Sequence, residues 1–208
     1  RSNCTVVDPD VTTTKLNAPG TVFDAERRQK LDELVVGRSK GADWVVLAGS
    51  LPPGLEPTYY SELVAALRAS GYEGKIAIDT SEAPLIATVA GEHKPTLIKP
   101  NSEELAQLTG SDNWEELEAS PELTARTAQK LLGDGIEYVL ATLGGGGAVL
   151  VTEQGIWHAV HEPIQVRSTV GAGDSSLSGF LIAHTRGEDA PGCLVQAVAH
   201  GSAAAALP

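Results

Sequence analysis

The sequence has no methionine, only two cysteines, and aromatic residues at just 4% of its 208 positions. Cys4 and Cys193 belong to no pairing motif, which excludes a disulfide-stapled secreted scaffold and suggests free thiols in a reducing compartment. The five histidines show no metal-ligand spacing and neither cysteine joins them, so no zinc site is expected. Cations are scarce: 15 Lys and Arg stand against 27 Asp and Glu, a formal charge of −12. That balance argues against non-specific nucleic-acid binding and against attraction to an anionic membrane surface. No apolar run reaches the length of a membrane span, and the first residues are polar, unlike a signal peptide. A cytoplasmic protein without nucleic-acid or membrane partners is the expectation. Internal repeats, low-complexity linkers, the Walker A pattern and a G-x-G-x-x-G after a first strand are all missing, which disfavours P-loop and Rossmann nucleotide sites.

What is present is a globular composition, with 42% apolar residues and length enough for one domain with a sizeable core. The chain begins at Arg1 with strand-like alternation and ends at Pro208 after an apolar stretch, so a fragment cut within folded structure at both ends is expected. Asn3 to Leu16 reads as a β-hairpin turning at Asp8-Pro9-Asp10. From Thr21 onward βα units follow. Thr21 and Asp24 are spaced as a capping box, and Leu31, Leu34 and Val35 mark a helix face. Strands are predicted at Trp44–Ala48, Ile76–Ile78, Thr96–Ile98 and Tyr138–Ala141, with an antiparallel edge pair at Ala148–Thr152 and Gly155–Val160. Helices are predicted around Tyr60–Leu67, Leu85–Val89, Leu105–Leu108 and Leu123–Leu132, then after Asp174 and from Leu194 to Ala206. Such alternation implies an α/β fold whose mainly parallel sheet is covered on both faces.

In a sheet of that kind, ligands gather beyond the carboxyl ends of the strands, and the motif-bearing segments all fall there. Thr169-Val170-Gly171-Ala172-Gly173-Asp174 opens an amphipathic helix on which Leu177, Phe180, Leu181 and His184 share a face. Asp174 is open to two readings: an ordinary cap, or a base beside an anion pocket formed by bare N–H groups. The run Gly144 to Gly147 is a flexible hairpin turn or a place where phosphates approach the backbone closely. Asn101 and Glu104 follow Lys99-Pro100 with cap spacing, and a carboxylate and amide on one turn also suit water-mediated Mg²⁺. Ser50 lies in the stiff turn Gly49-Ser50-Leu51-Pro52-Pro53-Gly54, where a hydroxyl reaches either solvent or a phosphate oxygen. Arg1, Asn3 and Lys15, taken alone, read as solvated groups on an edge hairpin.

Together, Gly49–Gly54, Lys99-Pro100-Asn101-Ser102-Glu103-Glu104, Thr142-Leu143-Gly144-Gly145-Gly146-Gly147 and Ser168–Ser175 resemble, in order and spacing, the ribokinase-like (PfkB) carbohydrate kinases. Thr-Val-Gly-Ala-Gly-Asp-Ser and the Thr-Thr-Lys-Leu-Asn segment at Thr13–Asn17 look most like the 1-phosphofructokinase branch. The resemblance implies a three-layer α/β/α core over 18–208, with 1–17 as part of a small β lid that usually forms a homodimer contact. It implies ATP- and Mg²⁺-dependent phosphorylation of a sugar phosphate, fructose 1-phosphate at its 6-hydroxyl. Tagatose 6-phosphate kinase and a non-catalytic phosphometabolite-binding relative are the alternatives. By the same resemblance, Asp174 is the general base and Gly171, Ala172 and Gly173 the anion hole. Lys99, Asn101, Glu104, Thr142, Gly144 and Gly147 face ATP, and Asn101 and Glu104 position Mg²⁺. Arg1, Asn3, Lys15 and Ser50 hold the phosphate already on the substrate.

Overall fold

In β4 (Lys75–Asp79), Ile76 and Ile78 point to one face of a sheet and Ala77 to the other, and all three are fully buried. A strand apolar on both faces belongs to a parallel sheet with a layer on each side. The computed structural model describes residues 3–7, 13–18, 20–133 and 135–207. Among them is a six-stranded sheet in the order β3 (Trp44–Ala48), β4, β5 (Leu97–Ile98), β6 (Tyr138–Thr142), β7 (Ala148–Thr152), β8 (Gly155–Ala159). The first four strands run parallel, with Leu47 opposite Ile78 and Leu97 opposite Tyr138. The last two join antiparallel, with Val139 opposite Val151 and Leu150 opposite Trp157, as the expected edge pair requires. A separate antiparallel pair consists of β1 (Asn3–Val7) and β2 (Thr13–Asn17). The turn expected at Asp8-Pro9-Asp10 lies outside the described residues.

Strand order follows chain order from β3 to β6, so crossovers of one hand all fall on the same face. That face carries α2 (Tyr59–Ala69), α3 (Glu82–Ala90), α4 (Ser102–Thr109), α5 (Trp114–Ala119) and α6 (Pro121–Gln129). Their Leu63, Leu67, Leu105 and Leu117 pack on Ile76, Ile78, Ile98 and Val139, and α1 (Ala25–Ser39) adds Leu31 and Val35. After the β7–β8 hairpin the chain crosses to the opposite face. There α7 (Ala172–Thr185) and α8 (Ala190–Ala206) bring Leu177, Phe180 and Leu194 against Ala77, Leu97, Leu140 and Leu150. These two helices meet at close range because Gly179 has no side chain: a Cβ there would lie 2.5 Å from the Gln196 carbonyl oxygen.

Three local expectations change. The cap of α1 is Asp24, whose carboxylate accepts from the Arg27 N–H at 2.9 Å, so Thr21 is not its partner in a capping box. The short helix α5, capped by Asn113, escaped the periodicity because it shows too few turns for a stripe. The predicted helix Leu123–Leu132 starts earlier, at Pro121, and stops at Gln129, and Leu131 and Leu132 reach the core from the turn beyond it.

Candidate active site

Parallel strands put their carboxyl ends on one sheet edge, and backbone hydrogen bonds tie those ends into a row. Gly49 N–H donates to the Asp79 carbonyl at 2.8 Å, Lys99 N–H to Ile78 at 3.2 Å, and Thr142 N–H to Pro100 at 3.0 Å. Lys99 is 6% exposed, and its ammonium lies 3.1 Å from Asp79 Oδ1, on a side chain itself 15% exposed. A buried ammonium needs such a partner. Burial pushes the Asp79 carboxyl above its usual range; Lys99 pulls it back in part, and the Asp174 charge pushes it further up. The start of α7 rests over this pair. A Cβ on Gly173 would lie 3.3 Å from Lys99 Nζ, a contact a little tighter than usual, so the helix start lies close to the ammonium. A helix start and an ammonium are thus close neighbours, an arrangement suited to an anion.

The cap of α7 is Gly171, at φ 80°, with no side-chain hydrogen bond; Asp174 is the third helical residue and is exposed. The capping reading of Asp174 therefore does not hold. Ala172 N–H, expected in the anion hole, donates to the Thr169 carbonyl at 3.3 Å. At α4 the reverse is found. Asn101 Oδ1 accepts from Glu104 N–H at 2.8 Å, and Glu104 Oε2 accepts from Asn101 N–H at 2.9 Å, a complete capping box. Burial raises the Glu104 carboxyl above its ordinary range. No cluster of three or more His, Cys, Asp or Glu side chains able to hold a metal occurs among the described residues. With Asn101 Oδ1 and Glu104 Oε2 engaged in the capping box, the pair fits Mg²⁺ through water, which suits an ion that sheds its hydration shell reluctantly.

Beside the α7 start lies a cavity of about 410 Å³. Thr142, Gly144 and Gly147 line it together with Ala172 and Gly173, so two separate motifs meet in one space. The glycine run is a 3-10 turn over Gly144–Gly146, closed by Leu143 N–H to Gly147 O at 2.9 Å and Gly146 N–H to Leu143 O at 2.8 Å. Gly147 has φ 82°, and a Cβ on it would lie 2.0 Å from the Ala159 carbonyl oxygen. The other wall comes from Ile164 and Val166 in the β8–α7 connection and from Ala197, Val198 and Gly201 of α8. None of these was singled out from sequence. The connection has no periodicity, and the small residues of α8 read as ordinary core. Asp79 directly follows the predicted strand Ile76–Ile78 and belongs to no motif.

Ser50 is exposed at the end of β3, close in sequence to the Gly49 carbonyl that accepts from Thr80 Oγ1 and Tyr60 OH. Arg1 lies outside the described residues, as do the side chains of Asn3 and Lys15, whose backbones sit in β1 and β2. Of the four residues expected at the substrate phosphate, Ser50 alone has its side chain among the described residues.

The family model described as pfkB family carbohydrate kinase matches residues 3–207. A 1-phosphofructokinase of Rhodobacter capsulatus is 36% identical over 200 residues, 91% of this chain and 58% of that protein. Phosphofructokinase-2 from Escherichia coli, solved in complex with substrates and products, aligns with a TM-score of 0.87 at 28% identity, covering 99% of this chain and 65% of that one. The same enzyme in complex with fructose-6-phosphate gives a TM-score of 0.85 at 27% identity, again over 99% and 65% of the two chains. This chain therefore spans 58% of the length of the curated relative and 65% of the solved ones.

Proposed function

This chain belongs to the pfkB family of carbohydrate kinases, and from that premise we propose that it acts as an ATP-dependent sugar-phosphate kinase. The reaction is transfer of the ATP γ-phosphoryl group to the 6-hydroxyl of fructose 1-phosphate, giving fructose 1,6-bisphosphate and ADP. The observation that carries this reading is the start of α7, laid over the buried Lys99 ammonium and opening on the same cavity as the glycine turn.

In this scheme Asp174 takes the proton as the acceptor oxygen bonds to the γ-phosphorus and the bond to the leaving ADP oxygen breaks. Gly171 and Gly173 keep the helix start open, and the first-turn N–H groups with Lys99 offset charge on the transferring group. Thr142, Gly144 and Gly147 bound the space for the nucleotide, and the apolar wall from Ile164 to Val198 suits its base. Mg²⁺, held through water near Asn101 and Glu104, would supply charge neutralisation on the phosphates. Arg1, Asn3, Lys15 and Ser50 are assigned the substrate phosphate, whose charge a −12 chain must offset locally. Residues 1–17 form part of a β lid and dimer contact beside a core over 18–208, in a cytoplasmic enzyme.

A coupled ADP-release assay on fructose 1-phosphate, fructose 6-phosphate and tagatose 6-phosphate tests the acceptor. The relative solved with fructose-6-phosphate makes that sugar the second reading. Asp174→Asn should lower kcat by at least about a hundredfold with KM little changed, as removal of a general base does. Unchanged turnover would remove Asp174 from the mechanism, and no turnover on any phosphosugar by the unaltered protein would favour a binding relative.

A further inference from the structure

We propose that His158 is a positioning residue that clamps the glycine turn from behind and so sets its cavity-lining backbone at Gly144 and Gly145 for the nucleotide. This rests on the reading of the cavity as a nucleotide site. His158 lies on β8 opposite Val149 of β7, and is exposed. Its Nε2 is 2.8 Å from the Gly146 carbonyl oxygen. A carbonyl only accepts, so Nε2 carries the proton and donates. Alternation along β8 turns Trp157 and Ala159 toward the core under α7 and α8, and His158 the other way. The cavity lies on the α7–α8 side and His158 is not among its lining residues, so the imidazole reaches the turn from the far side of the sheet.

The turn needs such a hold. Gly144 to Gly147 is four glycines in succession, and glycine loses more backbone freedom on ordering than any other residue. Two adjacent fixings on β8 restrain it: Gly147 pressed against Ala159, and the Gly146 carbonyl held by His158. Between the walls, Gly144 and Gly145 line the cavity with backbone alone. A turn ordered before the ligand arrives spares the ligand that ordering cost, which appears as affinity. His158 touches no reacting group in this arrangement, so its influence belongs in nucleotide binding and not in the chemical step.

The test compares His158→Leu and His158→Gln with the unaltered protein, the glutamine amide being able to donate to the same carbonyl. Calorimetry with ADP should show a dissociation constant raised about three- to tenfold in His158→Leu, the effect of losing one hydrogen bond. KM for ATP should rise by a similar factor, kcat and the KM for the sugar phosphate should stay within about twofold, and His158→Gln should recover much of the loss. Amide exchange at Gly144–Gly147 should quicken in His158→Leu alone. Unchanged exchange in that variant, or a loss confined to kcat, would overturn the clamp. If the unaltered protein binds no nucleotide, the function reading fails, while the exchange experiment still decides whether His158 orders the turn.

Discussion

Replacing Lys99 by methionine keeps the length and apolar stem of the side chain and removes one charge from a site where both partners are shielded. Lys99 is 6% and Asp79 15% exposed, so solvent cannot take over the role of the missing ammonium. Breaking a buried pair by deleting one partner typically costs about 3–5 kcal/mol. At this chain length about 1 kcal/mol moves the melting point by ~2–4 °C, so Lys99→Met should melt about 6–20 °C lower. Burial already holds the Asp79 carboxyl above its ordinary value of 3.8, against the pull of Lys99. With the cation gone, the carboxyl goes higher still. A carboxyl raised in the folded state favours folding below its unfolded value, and that contribution is lost as pH rises through the folded value. The deficit of Lys99→Met relative to the unaltered protein should therefore narrow as the pH is lowered from 7 toward 5.

The double variant Lys99→Met/Asp79→Asn isolates the cause. With neither charge present nothing is left unpaired, and replacing both members of a buried pair is often close to neutral. Chemical denaturation should place the double variant within about 1–2 kcal/mol of the unaltered protein, and above Lys99→Met. A cost below about 1 kcal/mol for Lys99→Met would mean that the pair behaves like a surface ion pair. Additive costs in the double variant would mean that methionine packing, not charge, is responsible. Either result refutes the reasoning.

His184, in ring contact with Trp44, Tyr138 and Phe180, has its basicity lowered first by burial and then by the Lys75 charge. A base lowered in the folded state leaves stability intact above its unfolded value of 6.5 and lets it fall as pH drops below that. Urea midpoints at pH 7.5 and 5.5 should differ more in the unaltered protein than in His184→Gln. Equal differences would show that His184 is freely protonated when folded. Gly147→Ala places a methyl group 2.0 Å from the Ala159 carbonyl oxygen at a residue with φ 82°. The turn must then move, and nucleotide binding should fall at least tenfold even in protein that remains folded, as a strained backbone position implies. Normal ADP binding by a folded Gly147→Ala would show that the turn is not part of the site.

The layered core was legible because burial leaves a periodic trace: Ile76 and Ile78 against Ala77, Leu63 and Leu67 on one stripe. The sheet-edge position of Gly49, Lys99, Thr142 and Gly144 followed from strand direction alone. What left no trace was contact between segments distant in sequence. Nothing local pairs Asp79 with Lys99, twenty residues apart, or sets Ala197 and Gly201 across a cavity from Gly144. Nor does an isolated histidine on an edge strand announce that its ring reaches a carbonyl twelve residues earlier. Short elements such as α5 fail for another reason, since six residues are too few to establish a period.

Capping and anion binding make competing claims on the same first-turn N–H groups, so no local motif could separate them at either helix. The geometry does separate them. At α4 the claim is filled: the Asn101 side chain takes the Glu104 N–H, and the Glu104 carboxylate takes the Asn101 N–H. A phosphate arriving there would have to displace a half-buried carboxylate from bonds already made. At α7 the cap position holds Gly171, which has no side chain to offer, and the residue two further on is a glycine against which the Lys99 ammonium rests. That helix start stands beside the Lys99 ammonium, and no side-chain cap takes its N–H groups. Asp79 balances the ammonium, and the Asp174 carboxylate in the first turn offsets the helix dipole, so net charge does not decide the matter. The uncapped first turn does, and on this ground the proposed phosphoryl transfer is placed at α7, while Asn101 and Glu104 keep at most a water-mediated part.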